Sequence, residues 1–448
     1  MAFATLVAFA IFAGIILVGF LGELIFRRYG IPSVLLLLAT GYLLGPVTGI
    51  VDVDTMVGLE YIFAPLALLI LLFDGGTQLN IYRLVHESGR GIILGVLGLA
   101  LAIGAVAAAW AIMGNSIFSG IILGSVVAGT GSAIVIPIAR GMKISEKARQ
   151  TITIESSITD VVAVVLVLSL TGAFISGHAS IQGTTQSVVS SFSIGAVLGV
   201  IFGMAWIGLS PKLRKLNFFY MLTLAIMLVL YIITEITGGS GAIAALVFGF
   251  MLGNMGEIGK MLRFEGVAEE PGVSKFQNEI SFLVRTFFFV FLGTIVNITD
   301  MGLVLVGIGV TLLLLAVRAA AVWVSTWKSD LLEFRPQLTV LMPRGLATAI
   351  MATYPAAMLL EKSSLLEAGE FNILYKMFSS FPQIAFVVII TSILATTLGT
   401  VIFGNGKPAK KGDAEAGEKG DGQTAKNPKK KKKVEIQKTV VEEDEETE

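Results

Sequence analysis

From Phe3 to Gly404 the sequence is a succession of apolar runs, each about twenty residues long, parted by short polar joints. A run of that length matches the hydrocarbon thickness of a bilayer. Inside hydrocarbon no water is at hand for a backbone N–H or C=O, and a helix satisfies these groups within the segment. Only 14% of the 448 residues are charged, against 55% hydrophobic, whereas soluble chains carry nearer a quarter charged residues. The chain reads as an all-α polytopic membrane protein.

Thirteen such spans can be placed, near 3–26, 31–50, 58–79, 91–113, 117–140, 148–171, 187–210, 216–237, 240–254, 278–297, 301–327, 337–360 and 381–404. The first lacks a basic flank before it and reads as a retained helix. The joints alternate in charge. Those after odd-numbered spans (FRRYG, YRLVHESGR, ARGMKISEKAR, SPKLRK, GKMLRFEGVAEEPGVSK, TWKSDLLEFR) hold sixteen Lys and Arg; those after even-numbered spans, ending with EKSSLLEAGEFNILYK, hold two. Positive joints stay in the cytoplasm, which places the N-terminus outside and the C-terminus inside. Residues 1–404 form a transmembrane domain on this reading. Residues 405–448 are polar and blocky in charge, with Lys429 to Lys433 in one run, and read as a disordered cytoplasmic tail. That run is suited to anionic lipid headgroups.

Thirteen spans divide as six, a connector and six, the arrangement of an inverted repeat. Span five then corresponds to span twelve, and both are interrupted. Span five carries Gly129, Thr130, Gly131 and Ser132, with Pro137 beyond; span twelve carries Pro343, Arg344 and Gly345, with Pro355 beyond. Backbone groups released by such breaks can bind ions where the break lines a cavity.

Five ionisable residues fall well inside spans: Asp74, Glu155, Asp160, Arg318 and Arg344. One ionised acid at mid-helix costs about 3 kcal/mol on insertion scales. Arg285 lies nearer a span end and reads as snorkelling to the interface; Glu23, four residues before Arg27, and Glu235 read as structural. In ITIESSITD, Ser156 and Asp160 share a helix face, while Glu155 points roughly 140° away from Asp160. The two acids therefore do different work. A permanently buried Glu calls for an Arg, which is always charged and binds a carboxylate bidentately. An Asp beside hydroxyls and freed carbonyls makes an oxygen site for a hard monovalent cation. Glu155 holds the structure, on this reading, and Asp160 carries the substrate.

LLFDGG, the Thr-containing break followed by IVIP, ESSITD, RTFFFVFLG, Arg318 and PRG, in that order and spacing, resemble the electroneutral sodium/proton antiporters of the NhaP type, an archaeal branch of the monovalent cation–proton antiporter superfamily. The resemblance covers about residues 1–404. It implies thirteen helices, a six-helix ion-carrying core, a dimerisation domain and a homodimer in the cell membrane. It makes Asp160 the alternating binder of cation and proton, with Ser156 and Thr130 as Na+ ligands. Asp74 takes the place of the helix-three acid. It pairs Glu155 with Arg318 and places Gly131 and Arg344 at the crossing of the broken helices. Two positions depart from the family pattern: Thr159 stands where Asn precedes the motif Asp, and Gly131 where the break carries an acid. The implied function is one-for-one exchange of Na+, and Li+, for H+ in pH homeostasis, with no cofactor and no nucleic-acid partner. A K+/H+ antiporter of the same fold and an electrogenic antiporter are the alternatives. Thr159, being neutral, weighs against the second. With no cysteine, and with His86 and His178 in joints, neither a thiolate metal site nor an enzyme's nucleophile–base set is present in the spans.

Overall fold

The computed structural model describes residues 2–29, 31–51, 53–79, 89–176, 181–213, 218–262, 271–296, 300–361 and 368–403. The expected tail, with Lys429 to Lys433, and both histidines, His86 and His178, lie outside the described residues. Every regular element among the described residues is helical: α1 (Ala2–Tyr29), α2 (Ser33–Tyr42, prolonged by a π-helical turn at Leu43–Val47), α3 (Val53–Gln78), α4 (Gly89–Ile112), α5 (Ile117–Ala128), α6 (Ser132–Gly141), α7 (Glu146–Ser176), α8 (Ile181–Leu213), α9 (Phe219–Ile236), α10 (Gly241–Gly253), α11 (Met255–Met261), α12 (Pro271–Ile295), α13 (Met301–Ser325), α14 (Arg335–Val340), α15 (Leu346–Glu361), α16 (Ala368–Phe378) and α17 (Phe381–Phe403). Each expected span coincides with a helix or a broken helix pair. Among the described residues, eight helices qualify by length and apolarity to cross a membrane, or nine if α10 and α11, bent by 75°, count as one span. The segments at Ser33–Val47, Ala64–Gln78 and Leu346–Glu361 are apolar but shorter.

Both expected breaks are present, and they meet. α5 stops at Ala128 and α6 starts at Ser132, while α14 stops at Val340 and α15 starts at Leu346. The Gly131 N–H donates to the Pro343 carbonyl at 2.8 Å, so one break satisfies the other's backbone. A Cβ at Gly131 would lie 3.0 Å from both Cα and N of Gly345, and one at Gly345 would lie 3.2 Å from the Gly131 Cα. Glycine on both segments lets two backbones cross at this distance.

α7 packs against α4, α5, α6, α15 and α3, which puts the ESSITD segment beside the crossing. α13 packs on α4 and α17, while α8, α9 and α10 form a second group joined to the rest chiefly through the contact of α10 with α3, with smaller contacts of α8 with α7 and of α9 with α12. The contact of α10 with α3 is close because it is lined with glycine. An added Cβ at Gly249 would run into the Phe73 backbone, and one at Gly253 into that of Thr77. Asp74 sits between these two points on α3, so the same seam sets its position.

One segment departs from the sequence reading. The joint EKSSLLEAGEFNILYK contains α16 rather than a continuous loop. Phe371, Leu374, Met377 and Phe378 return at helical spacing and pack on the main core, and this amphipathic period outweighs the low average hydrophobicity of the stretch.

Because the seam has no room for a methyl group, Gly249→Ala should destabilise the protein by about 1–3 kcal/mol. A melting temperature in detergent equal to that of the wild type would show that α3 and α10 can separate without cost.

Candidate ion-binding site

The site starts from α7, whose two acids diverge. Glu155 is 1% exposed, and Arg318, reaching it from α13, is 5% exposed. The guanidinium grips the carboxylate with both ends, at 2.8 Å to Oε1 and 3.1 Å to Oε2. Its remaining donors go to backbone: Nε to the Leu338 carbonyl at 3.1 Å and one terminal nitrogen to that of Leu341 at 3.2 Å. These carbonyls lie at the end of α14, where the second break begins. The Thr130 hydroxyl donates to Glu155 Oε1 at 3.0 Å, so the first break is tied to the same carboxylate.

Asp160 lies on the other side of α7. Its Oδ2 accepts the Ser132 N–H at 2.8 Å and the Ser132 hydroxyl at 2.7 Å. Ser132 is the first residue of α6, so the carboxylate meets a helix N-terminus, where unpaired N–H groups and the helix dipole favour negative charge. A cavity opens against it, with Asp160, Asp74, Ser132, Ser157, Ser281 and Arg285 among the groups in its wall. Carboxylate and hydroxyl oxygens of this kind suit a hard monovalent cation.

The crossing supplies the third element. The Arg344 guanidinium donates to the carbonyls of Ala128 at 2.6 Å and Gly129 at 2.7 Å, with a longer contact to the Thr130 hydroxyl at 3.4 Å. It therefore caps the C-terminus of α5, where unpaired carbonyls carry partial negative charge. Gly131 stands where the family resemblance implies an acid, and at the close backbone crossing a Cβ there would press on Gly345 at 3.0 Å. Helix-end carbonyls receive Arg344 instead.

The sequence-derived candidates thus divide between two places. Asp160 and Asp74 line the cavity. Thr130 and Thr159 belong to the buried network: the Thr130 N–H donates to Thr159 Oγ1 at 3.2 Å, and the Thr159 hydroxyl donates to the Ser156 carbonyl at 3.3 Å. The Ser156 hydroxyl is buried and donates within its own helix, to the Thr153 carbonyl at 3.1 Å. Ser157, three residues before Asp160, is the α7 serine in the cavity wall, and its hydroxyl also donates to the Thr153 carbonyl, at 2.8 Å. Arg285 does not lie at a helix end facing the interface; it is half-buried in the cavity wall. The sequence motifs point to Ser156 and Thr130 rather than to Ser132, Ser157 and Ser281. A signal existed for two of them: Ser157 is i, i+3 with Asp160, and Ser132 opens the half-helix after the break.

The signature of the family described as sodium/hydrogen exchanger, transmembrane, matches residues 10–404. The chain is 29% identical over 245 residues to the K(+)/H(+) antiporter NhaP of Alkalimonas amylolytica, covering 53% of this chain and 42% of that protein. It is 26% identical over 339 residues to the K(+)/H(+) antiporter NhaP2 of Shewanella baltica, covering 73% and 57%. To a probable Na(+)/H(+) antiporter 2 of Methanocaldococcus jannaschii it is 26% identical over 291 residues, covering 61% and 65%. The chain thus spans less than two thirds of the length of each of these curated relatives. Among solved structures, the sodium proton antiporter MjNhaP1 from Methanocaldococcus jannaschii superposes with a TM-score of 0.70 at 19% identity, covering 88% of this chain and 97% of that one. This last likeness is one of fold.

The geometry separates the two acids by their effect on stability. Taking away one partner of a buried ion pair costs about 3–5 kcal/mol, because an uncompensated charge stays behind. Glu155→Ala and Arg318→Ala should both lower the melting temperature and the yield sharply. Asp160→Asn, which keeps an oxygen for the Ser132 donors, should lower them far less. Equal losses at positions 155 and 160 would contradict the division.

Proposed function

The chain belongs to the sodium/hydrogen exchanger family, and from that premise we propose that it is a secondary antiporter exchanging one monovalent cation for one proton at Asp160. The family and fold are those of transporters, not of enzymes. The observation that carries the reading is the contrast between the acids. Glu155 is locked against Arg318, whereas Asp160 lines a cavity and is held by Ser132, a neutral partner. A proton and a cation compete for that carboxylate, and it holds one at a time.

Ser132 and Ser157 complete the cation shell from the cavity wall, with Asp74 nearby. Thr130, Thr159 and Ser156 act one layer behind, holding the break against α7. Each half-cycle carries one positive charge, so the net charge moved is zero and the membrane potential does no work on the cycle. Na+ and Li+ are the cations of the first choice. The two relatives named K(+)/H(+) antiporters favour K+ as the second reading. The working unit is a homodimer of thirteen-span protomers in the cell membrane. The N-terminus is outside, and the tail beyond residue 404 is cytoplasmic.

Exchange in proteoliposomes, scanned across Li+, Na+, K+ and Rb+, identifies the cation. Asp160→Asn should abolish exchange with every one of them. With the potential clamped by K+ and valinomycin and another cation as substrate, the wild-type rate and end-point should be independent of voltage. The apparent cation affinity should fall as pH drops, while the maximal rate changes much less. A voltage-dependent end-point, or exchange surviving in Asp160→Asn, would defeat the one-carboxylate mechanism. On intact cells, an external protease should leave the Lys-rich tail uncut.

A further inference from the structure

The chain has four tryptophans, and their surroundings divide them into two pairs. Trp110 and Trp206 are buried in the helix packing, whereas Trp323 and Trp327 are 50% and 51% exposed. The exposed pair lies one turn apart at the end of α13, edge to face, with ring centroids 4.7 Å apart. At about 100° per residue, Leu305 and Leu312 fall on the same stripe of α13, and both are well exposed. An apolar stripe suited to lipid chains therefore ends in two indoles. Indole joins an apolar body to a polar N–H and settles at the membrane–water boundary.

Two guanidiniums close on the same helix end. Arg335, the first residue of α14, donates from Nε to the Thr326 hydroxyl at 2.7 Å and from a terminal nitrogen to the Trp323 carbonyl at 3.0 Å. Its Cζ lies 5.9 Å from the centroid of the Trp323 ring. Arg90, the second residue of α4, donates to the carbonyls of Ser325 at 2.8 Å and Trp327 at 3.1 Å. Carbonyls that end a helix have no partner inside it, so the backbone of α13 itself holds both arginines at this place. A guanidinium carries more N–H donors than these bonds use. Lys328, in the turn that follows, is exposed. Asp330 is paired with Lys147 at 2.8 Å, which leaves the exposed Glu333 as the acid of this joint set against Arg90, Lys328 and Arg335.

We propose that this corner of α13 and α14 binds an anionic phospholipid, its headgroup phosphate taken by Arg90, Lys328 and Arg335 and its glycerol and upper chains lying on Trp323 and Trp327. Phosphate suits a guanidinium because two N–H groups can meet two oxygens at once. The acyl chains continue along Leu312 and Leu305. The bias of the basic joints puts the corner on the cytoplasmic side, where the leaflet carries anionic lipid, and each basic side chain there contributes about 1 kcal/mol of attraction. A zwitterionic headgroup offers the same phosphate with a cation attached, which these side chains repel. A soluble phosphate compound has nothing to set against the two indoles. α14 is six residues long, and Arg318 holds carbonyls at its far end, so the lipid sits one short helix away from the second break. The inference does not depend on which cation is exchanged.

The test reconstitutes the full-length protein in phosphatidylcholine liposomes that contain a minor fraction of either dibrominated phosphatidylglycerol or dibrominated phosphatidylcholine. Bromine quenches tryptophan at close range, and with Trp110 and Trp206 buried the quenched emission belongs to Trp323 and Trp327. At equal fractions the brominated phosphatidylglycerol should quench more. Lys328→Gln, an exchange at an exposed position, should lower that preference roughly fivefold, the ratio equivalent to one basic residue. Arg335→Gln should lower it further. Should Arg335→Gln not fold, Lys328→Gln decides alone. Replacing both exposed indoles, Trp323→Phe with Trp327→Phe, should remove the quenching. Equal quenching by the two lipids in the wild type, an unchanged preference in Lys328→Gln, or quenching that survives the double Phe variant would overturn the proposal. Absence of quenching by either lipid, the result if a second copy of the chain covered the corner, would overturn it too. So would a preference abolished by millimolar glycerol phosphate, which would assign the basic side chains to a soluble phosphate.

Discussion

The ion pair between Glu155 and Arg318 is the contact from which the geometry of the site follows. Each member is almost wholly buried, so neither tolerates the absence of the other. Such a pair adds little net stability over a well-packed apolar substitute. What it supplies here is position. One carboxylate accepts from Arg318 on α13 and from Thr130 in the first break, and the same arginine holds the Leu338 and Leu341 carbonyls at the second. α7, α13 and both breaks are thereby fixed to a single point. Asp160, five residues along α7, is placed against the start of α6 by the same constraint.

The broken helices then serve as electrostatic fittings. α6 presents its N-terminus to Asp160, and α5 presents its C-terminal carbonyls to Arg344. Each charge meets the helix end of opposite polarity. This also explains Gly131. An acid at that position would have offered Arg344 a counter-charge, but its Cβ would crowd Gly345. In this chain the crossing is tight and the counter-charge comes from peptide dipoles.

Much of this arrangement was readable from the residues. Hydrocarbon forces a helix wherever an apolar run is long enough, and Gly129-Thr-Gly131 and Pro343-Arg-Gly345 mark interruptions on steric grounds alone. The angular separation of Glu155 from Asp160 follows from helix geometry, and one faces Arg318 while the other faces the cavity. What could not be read was which hydroxyl turns toward Asp160. Ser156 has the right spacing on α7, yet Ser132 makes the contact, because the approach of α6 is decided by the crossing rather than by the period of α7. Span position alone puts Arg285 near an interface. The structure puts it beside a cavity formed with α3, a relation between segments about two hundred residues apart. α16 is faint in the sequence because its apolar residues are periodic rather than numerous.

Competition between a proton and a cation for Asp160 has a direct equilibrium signature in the purified protein. Titrating the cation into weakly buffered, detergent-solubilised protein, while recording pH, counts the protons displaced by binding. Below the pH at which Asp160 ionises, release should approach one proton per cation bound, and it should vanish in Asp160→Asn. Cation binding without proton release in the wild type, or undiminished release in Asp160→Asn, would contradict the account.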